Sequence, residues 1–370
     1  MEHESFAIEI EGDEASDLYP DLLTLEVELD QCLASMFRLR LAIRRQSDGA
    51  WSHVDDERLR VWKRVQILAG FESGTEELIT GYVTHVKPFF EPDPADCSLV
   101  IWGMDESVLL DREEKLKDWP NKKDSDVARE IFRLYGFDLS GIEDTEVIHD
   151  EVISTIIQRE TDMQFLKRLA LRNGYVCYVE NGKAFFRPPQ VDAEPQPVLA
   201  VHFGNETNVE RLRIEVNALT PAHVAMSQVD PASKEVLEAA AQSSRQPALG
   251  EIAGEGLLAA GISPGHVQVA MNATTGAPEM ASLCQGLFHR AEWFVTAEGE
   301  VLSSHYGHVL KPRLPVTVKG VSETHSGVYF VCHVTHSFDP GGYNQHFKAR
   351  RNGLLPTGAE DFAGPSSVLF

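Results

Sequence analysis

The segment Leu23-Thr24-Leu25-Glu26-Val27-Glu28-Leu29 alternates apolar and polar side chains without a break, and Phe37-Arg38-Leu39-Arg40-Leu41-Ala42-Ile43-Arg44 does so again a few residues later. A period of two places one set of side chains on each face of an extended strand, so both segments read as strands with one face in a core and the other in water. The outward face is acidic in the first and carries Arg in the second. Further strands are expected over 65–69, 78–86 and 98–103, separated by turn residues such as Asp48-Gly49 and Pro92-Asp93-Pro94. Short strands with mostly short connections predict an antiparallel barrel or sandwich over residues 1–105.

The pattern changes after Asp105. Residues 125–136 read as a helix with Val127, Ile131 and Leu134 on its apolar face and Gly136 at its end. A second helix is expected over 161–170, capped by Thr161 and burying Phe165, Leu166 and Leu169. Asn173-Gly174 ends it, and Tyr175–Glu180 with Ala184–Arg187 reads as a hairpin turning at Asn181-Gly182. Residues 106–198 therefore form a small α+β insert closed by a Pro-rich stretch. Strands resume over 199–229 and again over 300–352, a second β section. It is interrupted by 230–299, whose Ala-, Ser-, Glu- and Gly-rich start predicts a helical or loosely ordered excursion and whose end predicts a helix over 279–293. Residues 353–370 read as a tail that orders against a partner. The fold class is α+β, mainly β, with two antiparallel β sections of similar design. That similarity hints at duplication, although no residue-level repeat is visible.

Composition narrows the function. With 57 acidic residues against 33 Lys and Arg, the net charge is -24, a field that repels a phosphate backbone, so no nucleic-acid binding is expected. No run approaches the roughly 20 apolar residues that span a bilayer, and Met1-Glu2-His3-Glu4 lacks the positive charge of a signal peptide. The chain is expected to be made in the cytoplasm and to have no membrane segment. Cys32, Cys97, Cys177, Cys284 and Cys332 are scattered, odd in number and free of CxxC spacing, so reduced thiols are expected.

Candidate chemistry is sparse. His333 and His336 stand three apart on a strand and face opposite sides, so a shared metal is not expected, and His336 reads as a hydrogen-bonding residue. Asp162 at a helix start favours the helix dipole over acid catalysis. Glu113-Glu114 and Asp55-Asp56-Glu57 are carboxylate clusters of the kind glycosidases use, yet their Lys- and Arg-flanked settings read as solvated faces. No GxSxG, GxxxxGK[ST], HExxH or GxGxxG occurs. No catalytic residue, metal or cofactor is expected. The Arg38, Arg40 and Arg44 stripe reads as an outer strand face that would meet Glu26, Glu28 and Asp30 of a neighbouring subunit, fixing register more than adding stability.

Two stretches carry a family resemblance. One runs through Gln158, Thr161-Asp162, Phe165-Leu166, Arg168-Leu169 and Gly174, after a helix ending in Tyr135-Gly136. The other runs through Gly327, Tyr329, Val331, Val334 and His336, then Gly342-Tyr343, Phe347 and Arg351-Asn352. Both resemble the late-control D family of phage tail proteins and the related hub portion of type VI secretion spike proteins. The resemblance implies two tube-protein-like antiparallel β-barrels, with one insert between them and one in the second barrel. It also implies a homotrimeric, non-enzymatic baseplate hub that adapts a sixfold inner tube to a threefold spike. The implied partners are the inner tube protein, a spike protein that is separate because no β-helical repeat follows, and wedge or adaptor proteins of the baseplate. Two alternatives stand beside it: a hub that also cleaves peptidoglycan, and a soluble barrel-type binding module.

Overall fold

The computed structural model describes residues 4–71, 74–151, 155–219, 222–230, 233–258, 261–270, 274 and 276–363. Besides a two-residue strand at Asp13–Glu14, the first β section contributes six strands: β1 (Ser5–Ile10), β2 (Leu22–Asp30), β3 (Met36–Ala42), β4 (Arg64–Phe71), β5 (Gly74–Phe89) and β6 (Ser98–Asp105). In β2 and β3 the alternation does what the sequence requires: Leu25, Val27, Phe37, Leu39 and Leu41 are buried while Glu26, Arg38 and Arg40 face outward.

After them come α1 (Asp124–Leu134), α2 (Asp162–Asn173), β7 (Val176–Glu180) and β8 (Lys183–Arg187), then β9 (Gln196–Ala200) and β10 (Val209–Val216). A small sheet of β11 (Ala222–Val229), β12 (Val236–Ala241) and β13 (Gly265–Val269) precedes α3 (Ala277–Ala291). The second β section closes with β14 (Val295–Leu302), β15 (Pro315–Lys319), β16 (Gly327–Asp339) and β17 (Gly342–Arg351).

The two β sections are one hydrogen-bonded sheet. Its order is β2-β3-β6-β5-β4-β1 in the first section and β10-β14-β17-β16-β15-β9 in the second, joined where β16 pairs with β2. These are the same order in the same chain sequence, so β1 to β6 correspond in turn to β9, β10, β14, β15, β16 and β17. The correspondence extends to irregularities. The register of β5 on β6 shifts between Val83 and His85, and that of β16 on β17 shifts between Val331 and His333. Just before β4, Trp62 stands at φ 68° and donates its N–H to the Val83 carbonyl at 2.7 Å; just before β15, Arg313 stands at φ 69° and donates to the Val331 carbonyl at 2.8 Å. Non-glycine residues rarely adopt a positive φ, so a matched pair of them marks a repeated backbone rather than two chance turns. The one reversal is that β1 runs antiparallel to β4 whereas β9 runs parallel to β15.

Strand β16 serves both sections. Along one edge it pairs with β15 through Phe330 and then, past the bulge at Cys332, with β2 from His333 to Phe338; β17 follows its other edge. Its tip also completes the first core. Phe338 and Tyr343 are buried with Ile8, Val65 and Ile67, the Phe338 ring lies 5.2 Å from that of Phe6, and the Tyr343 N–H donates to Glu4 at 2.8 Å.

Several expectations change. In α1, Val127 and Ile131 are buried, but Leu134 is exposed, because the last turn has left the insert core. The strand over 222–229 belongs to the second insert, pairing with β12 and β13 and burying Val224 and Met226 against Met280 and Cys284 of α3. The Ala-rich segment after 230 contains a strand, β12, rather than a helix: its small side chains let α3 lie close over the sheet. The tail is tied down as far as it is described. Leu355 donates to the Thr324 carbonyl and Lys319 Nζ reaches the Phe362 carbonyl, so that part needs no partner to order it; 364–370 lie outside the described residues.

Candidate assembly surface

The first signature stretch builds a buried polar knot. Thr161 caps α2, its hydroxyl accepting from the Gln164 N–H at 3.3 Å, and Gly174 ends the helix at φ 68°, where a side chain would be strained. The cap turns Asp162 inward. Its carboxylate, almost fully buried, accepts from Tyr135 Oη and Gln158 Nε2, each at 2.7 Å, and from Lys115 Nζ. Burial alone would raise this carboxyl, but the bonds from Lys115, Gln158 and Tyr135 hold it below its ordinary range. Gln158 uses its other end to accept from Trp119 Nε1 at 3.2 Å. Phe165, Leu166 and Leu169 fill the core beneath, while Arg168 holds Glu160 at 2.7 Å and the Ile157 carbonyl at 2.8 Å. The knot fixes the α2 start, with Asp162 held by Lys115, Tyr135 and Gln158 together.

The second stretch fixes how β16 and β17 meet. Arg351, fully buried, donates to the carbonyls of Leu249 (2.6 Å), Ser326 (3.0 Å) and Leu355 (2.6 Å), and its guanidinium lies over the Tyr329 ring. Gly327, at φ 136°, makes room for it: a Cβ there would stand 2.5 Å from Arg351 Nη2. Asn352 accepts from the Leu249 N–H at 2.8 Å and donates to the Pro247 carbonyl at 3.1 Å. His336 is fully buried, paired through Nδ1 with Tyr343 Oη at 2.7 Å; burial pushes the imidazole down to about 3. Val331, Val334 and Phe347 pack the second core, and Gly342, at φ 120°, turns the hairpin. His333 faces the other way, 3.2 Å from Asp30.

Sequence reasoning missed a third knot. Asp124 of α1, His149, Arg172 of α2 and Glu279 of α3 converge from both inserts. Arg172 donates to Asp124 at 2.7 Å and to Glu279 at 3.1 Å, while His149 lies 3.1 Å from Asp124 and 3.5 Å from Glu279. Burial opposes the charge on Asp124, yet His149 and Arg172 bring its carboxyl down to about 2. The His149 imidazole is raised by Asp124 and Glu279 against the effect of burial. No local spacing announces this cluster, since its members are brought together only by tertiary packing. It clamps one insert to the other.

The outward face of the sheet carries the charge stripe. Glu26 and Arg38 pair across β2 and β3 within one chain. Arg44 reaches Asp21 at 2.9 Å and Arg40 lies 3.4 Å from the Ser98 hydroxyl. Asp30 accepts from the N–H groups of Cys32 and Leu33 at 2.8 Å, and Glu28 faces Thr335. In the second section the corresponding rows read Arg211 on Glu300, at 2.7 Å, and Arg213 opposite Glu298.

Two of the open edges of the main sheet carry exposed apolar side chains. Strand β10 pairs only with β14, and its core-side Leu212 and Ile214 are half-buried while Val216 is exposed. Their counterparts in β2, Leu25, Val27 and Leu29, are sealed by β16. The other open edge is β5 beyond Val83, where β4 no longer follows it and Phe89 and Phe90 are 44% and 55% exposed.

A family model described as the Alg8 N-terminal domain matches residues 2–339. No curated protein matches the sequence. Among solved structures the chain is similar to the 43 kDa tail protein of prophage MuSo2 from Shewanella oneidensis, at 15% identity and a TM-score of 0.68 over 95% of this chain and 99% of that one. It is similar to the tail protein of Neisseria meningitidis at 13% identity and a TM-score of 0.66, over 95% and 98% of the two chains. It is also similar to the E. coli c3393 protein, described as a component of the type VI secretion system with structural similarity to T4 bacteriophage tail proteins gp27 and gp5. That match has 14% identity and a TM-score of 0.54, over 97% and 79% of the chains. At these identities the likeness is one of fold, and at that level it bears out the resemblance to phage tail and type VI secretion proteins read from the two signature stretches.

Proposed function

From the tail-protein fold we propose that this chain, which belongs to the family described as the Alg8 N-terminal domain, is an architectural hub of a phage tail or phage-tail-like injection particle. In this reading three copies form a ring of six similar β sections, one side continuing a sixfold inner tube and the other seating a threefold spike, with wedge or adaptor proteins around it. The chain is made in the cytoplasm and built into the baseplate. The observation that carries the reading is the repeat: two six-strand units of the same order in a single sheet. A chain with two equivalent units lets a threefold assembly look sixfold on one face. The three polar knots support it as well, because each uses its charges to pin loops and inserts.

Co-expression with the neighbouring tube and spike proteins, followed by imaging of the purified complex, tests this. A threefold ring with six equivalent lobes is the expected result. A chain that stays monomeric and binds neither tube nor spike would overturn it in favour of a soluble binding module. Release of peptidoglycan fragments by the purified protein, lost on substituting one carboxylate, would identify the wall-cutting hub instead.

A further inference from the structure

We propose that the cavity where α2, α3 and β17 meet binds a small organic anion, one or two carboxylate or phosphate groups carried on a short apolar body. Two glycines bring the inserts together there. Gly174 ends α2 and Gly286 lies in α3, and a Cβ on Gly286 would stand 2.8 Å from the Gly174 nitrogen. Beside that contact is a cavity of about 240 Å³, walled by Ala170, Leu171 and Val176 of the first insert, by Trp293, and by Gln31 and Cys32 just after β2.

Its charge is the reverse of the molecule's. The chain has 57 acids against 33 Lys and Arg, yet no Asp or Glu lines this cavity, whereas Lys167 of α2, Arg290 of α3 and Arg350 of β17 all do. Among the described residues none of the three forms an ion pair, although cations withdrawn from water ordinarily find one. Arg350 lies over the Trp293 ring at 4.4 Å, its Nε sealed from water without an acceptor, and burial pulls the guanidinium below its ordinary value. The three cations converge on one point: desolvation raises the Cys32 thiol, and Arg350, Arg290 and Lys167 each pull it back. Gln31, 3% exposed, lines the cavity with its side-chain amide unbonded among the described residues, so its NH2 is open to an acceptor. Gln246 Oε1, also buried and unpartnered there, gives way to a donor when that amide turns over.

Size and field select the ligand. A polyanion would meet the whole negative field of the chain, whereas a small anion feels mainly the three cations around it. An apolar cavity of about 150 Å³ takes up benzene, so this one has room for a ring bearing one or two carboxylates. The ring lies toward Trp293 and the oxygens take the guanidinium forks. The site stands apart from the assembly proposed above.

The probe is phthalate, titrated by calorimetry into the full chain and followed in parallel by protection of the exposed Cys32 from N-ethylmaleimide. One phthalate per chain is expected, bound more tightly than inorganic phosphate and more weakly as salt rises, while neutral phthalamide leaves Cys32 unprotected. Lys167→Gln and Arg290→Gln, whose side chains reach solvent, should unfold at the wild-type temperature and each weaken phthalate roughly tenfold. No heat and unchanged alkylation at the highest soluble phthalate concentration would overturn the site. So would equal binding of phthalamide, or full affinity in a folded chain carrying both substitutions.

Discussion

The two β sections share a strand order and carry opposite charges at several matched positions. Glu26 faces Arg38 in the first; Arg213 faces Glu298 at the matching place in the second. The last strand of each ends in a buried ionisable side chain, an acid in one and a base in the other: Asp105 in β6, Arg351 in β17. Asp105 accepts from the N–H of Ser35 at 2.5 Å and of Ser107 at 2.9 Å. Arg351 donates to three carbonyls, one of them Leu249. Each pins the connection between the second and third strands of its section, which is a tight turn in the first and carries the whole second insert in the second. The comparison teaches that apolar alternation, bulges and left-handed turns set this fold, whereas a polar position needs a complementary partner but not a particular sign.

The largest consequence lies at those two side chains. Arg351→Met would leave the Leu249 and Ser326 carbonyls without this donor and the Leu355 carbonyl with the Glu251 N–H alone, and since leaving a buried acceptor unpaired costs about 1–3 kcal/mol, a total loss of about 2–4 kcal/mol is expected. Asp105→Asn keeps one acceptor oxygen for two N–H groups and removes a carboxyl whose pKa burial has already raised, so a loss of about 1–2 kcal/mol is expected. Urea unfolding of the two variants reads the difference. Equal losses would mean that the charge at the end of β17 does no more than the one at the end of β6.

Much of this was legible in the sequence. The alternation at Leu23–Leu29 and Phe37–Arg44, the cap at Thr161, the helix end at Gly174 and the Asn181-Gly182 turn each rest on local chemistry, and each appears in place. The similar design of the two β sections hinted at the repeat, but no residue-level match was legible, because equivalent positions share burial and hydrogen bonding but seldom residue type: Thr84 matches Cys332, Trp62 matches Arg313 and Pro88 matches His336. Strand β12 was hidden by alanines, which carry little strand signal. The clamp of Asp124, His149, Arg172 and Glu279 was invisible for another reason: its members come from four elements that meet only after both inserts have folded.

A smaller effect separates β16 from β5 through pH. His336 is held neutral in the fold, down to about 3 from an ordinary 6.5, whereas its counterpart Pro88 has nothing to titrate. Because the folded value lies below the unfolded one, the unfolded chain takes up the proton first. Stability therefore falls as pH drops from about 6.5 toward 3, by up to about 1.4 kcal/mol per unit. His289, which burial pushes down to about 4, acts in the same direction. His149, raised in the fold, adds stability that is already complete at 6.5 and so contributes no slope below it, and Asp124 contributes loss only below its ordinary carboxyl value of 3.8. The difference between wild type and His336→Gln across pH 6 to 4 thus isolates His336, and the variant is expected to show the shallower loss. An unchanged slope would place the acid sensitivity elsewhere.

The smallest effect is the one that best separates folding from assembly. Glu26→Arg alone sets two cations side by side across β2 and β3, and should cost about 0.5–1 kcal/mol. Adding Arg38→Glu restores the pair with the polarity of the second section and should bring thermal stability back to within about 0.5 kcal/mol, since half-exposed pairs contribute little either way. An isolated chain has no means of distinguishing Glu opposite Arg from Arg opposite Glu. A neighbour laid against that face does. If the swapped chain unfolds like wild type yet no longer assembles, the sign of the stripe is read by a partner; if it assembles normally, the stripe serves only the register of its own strands.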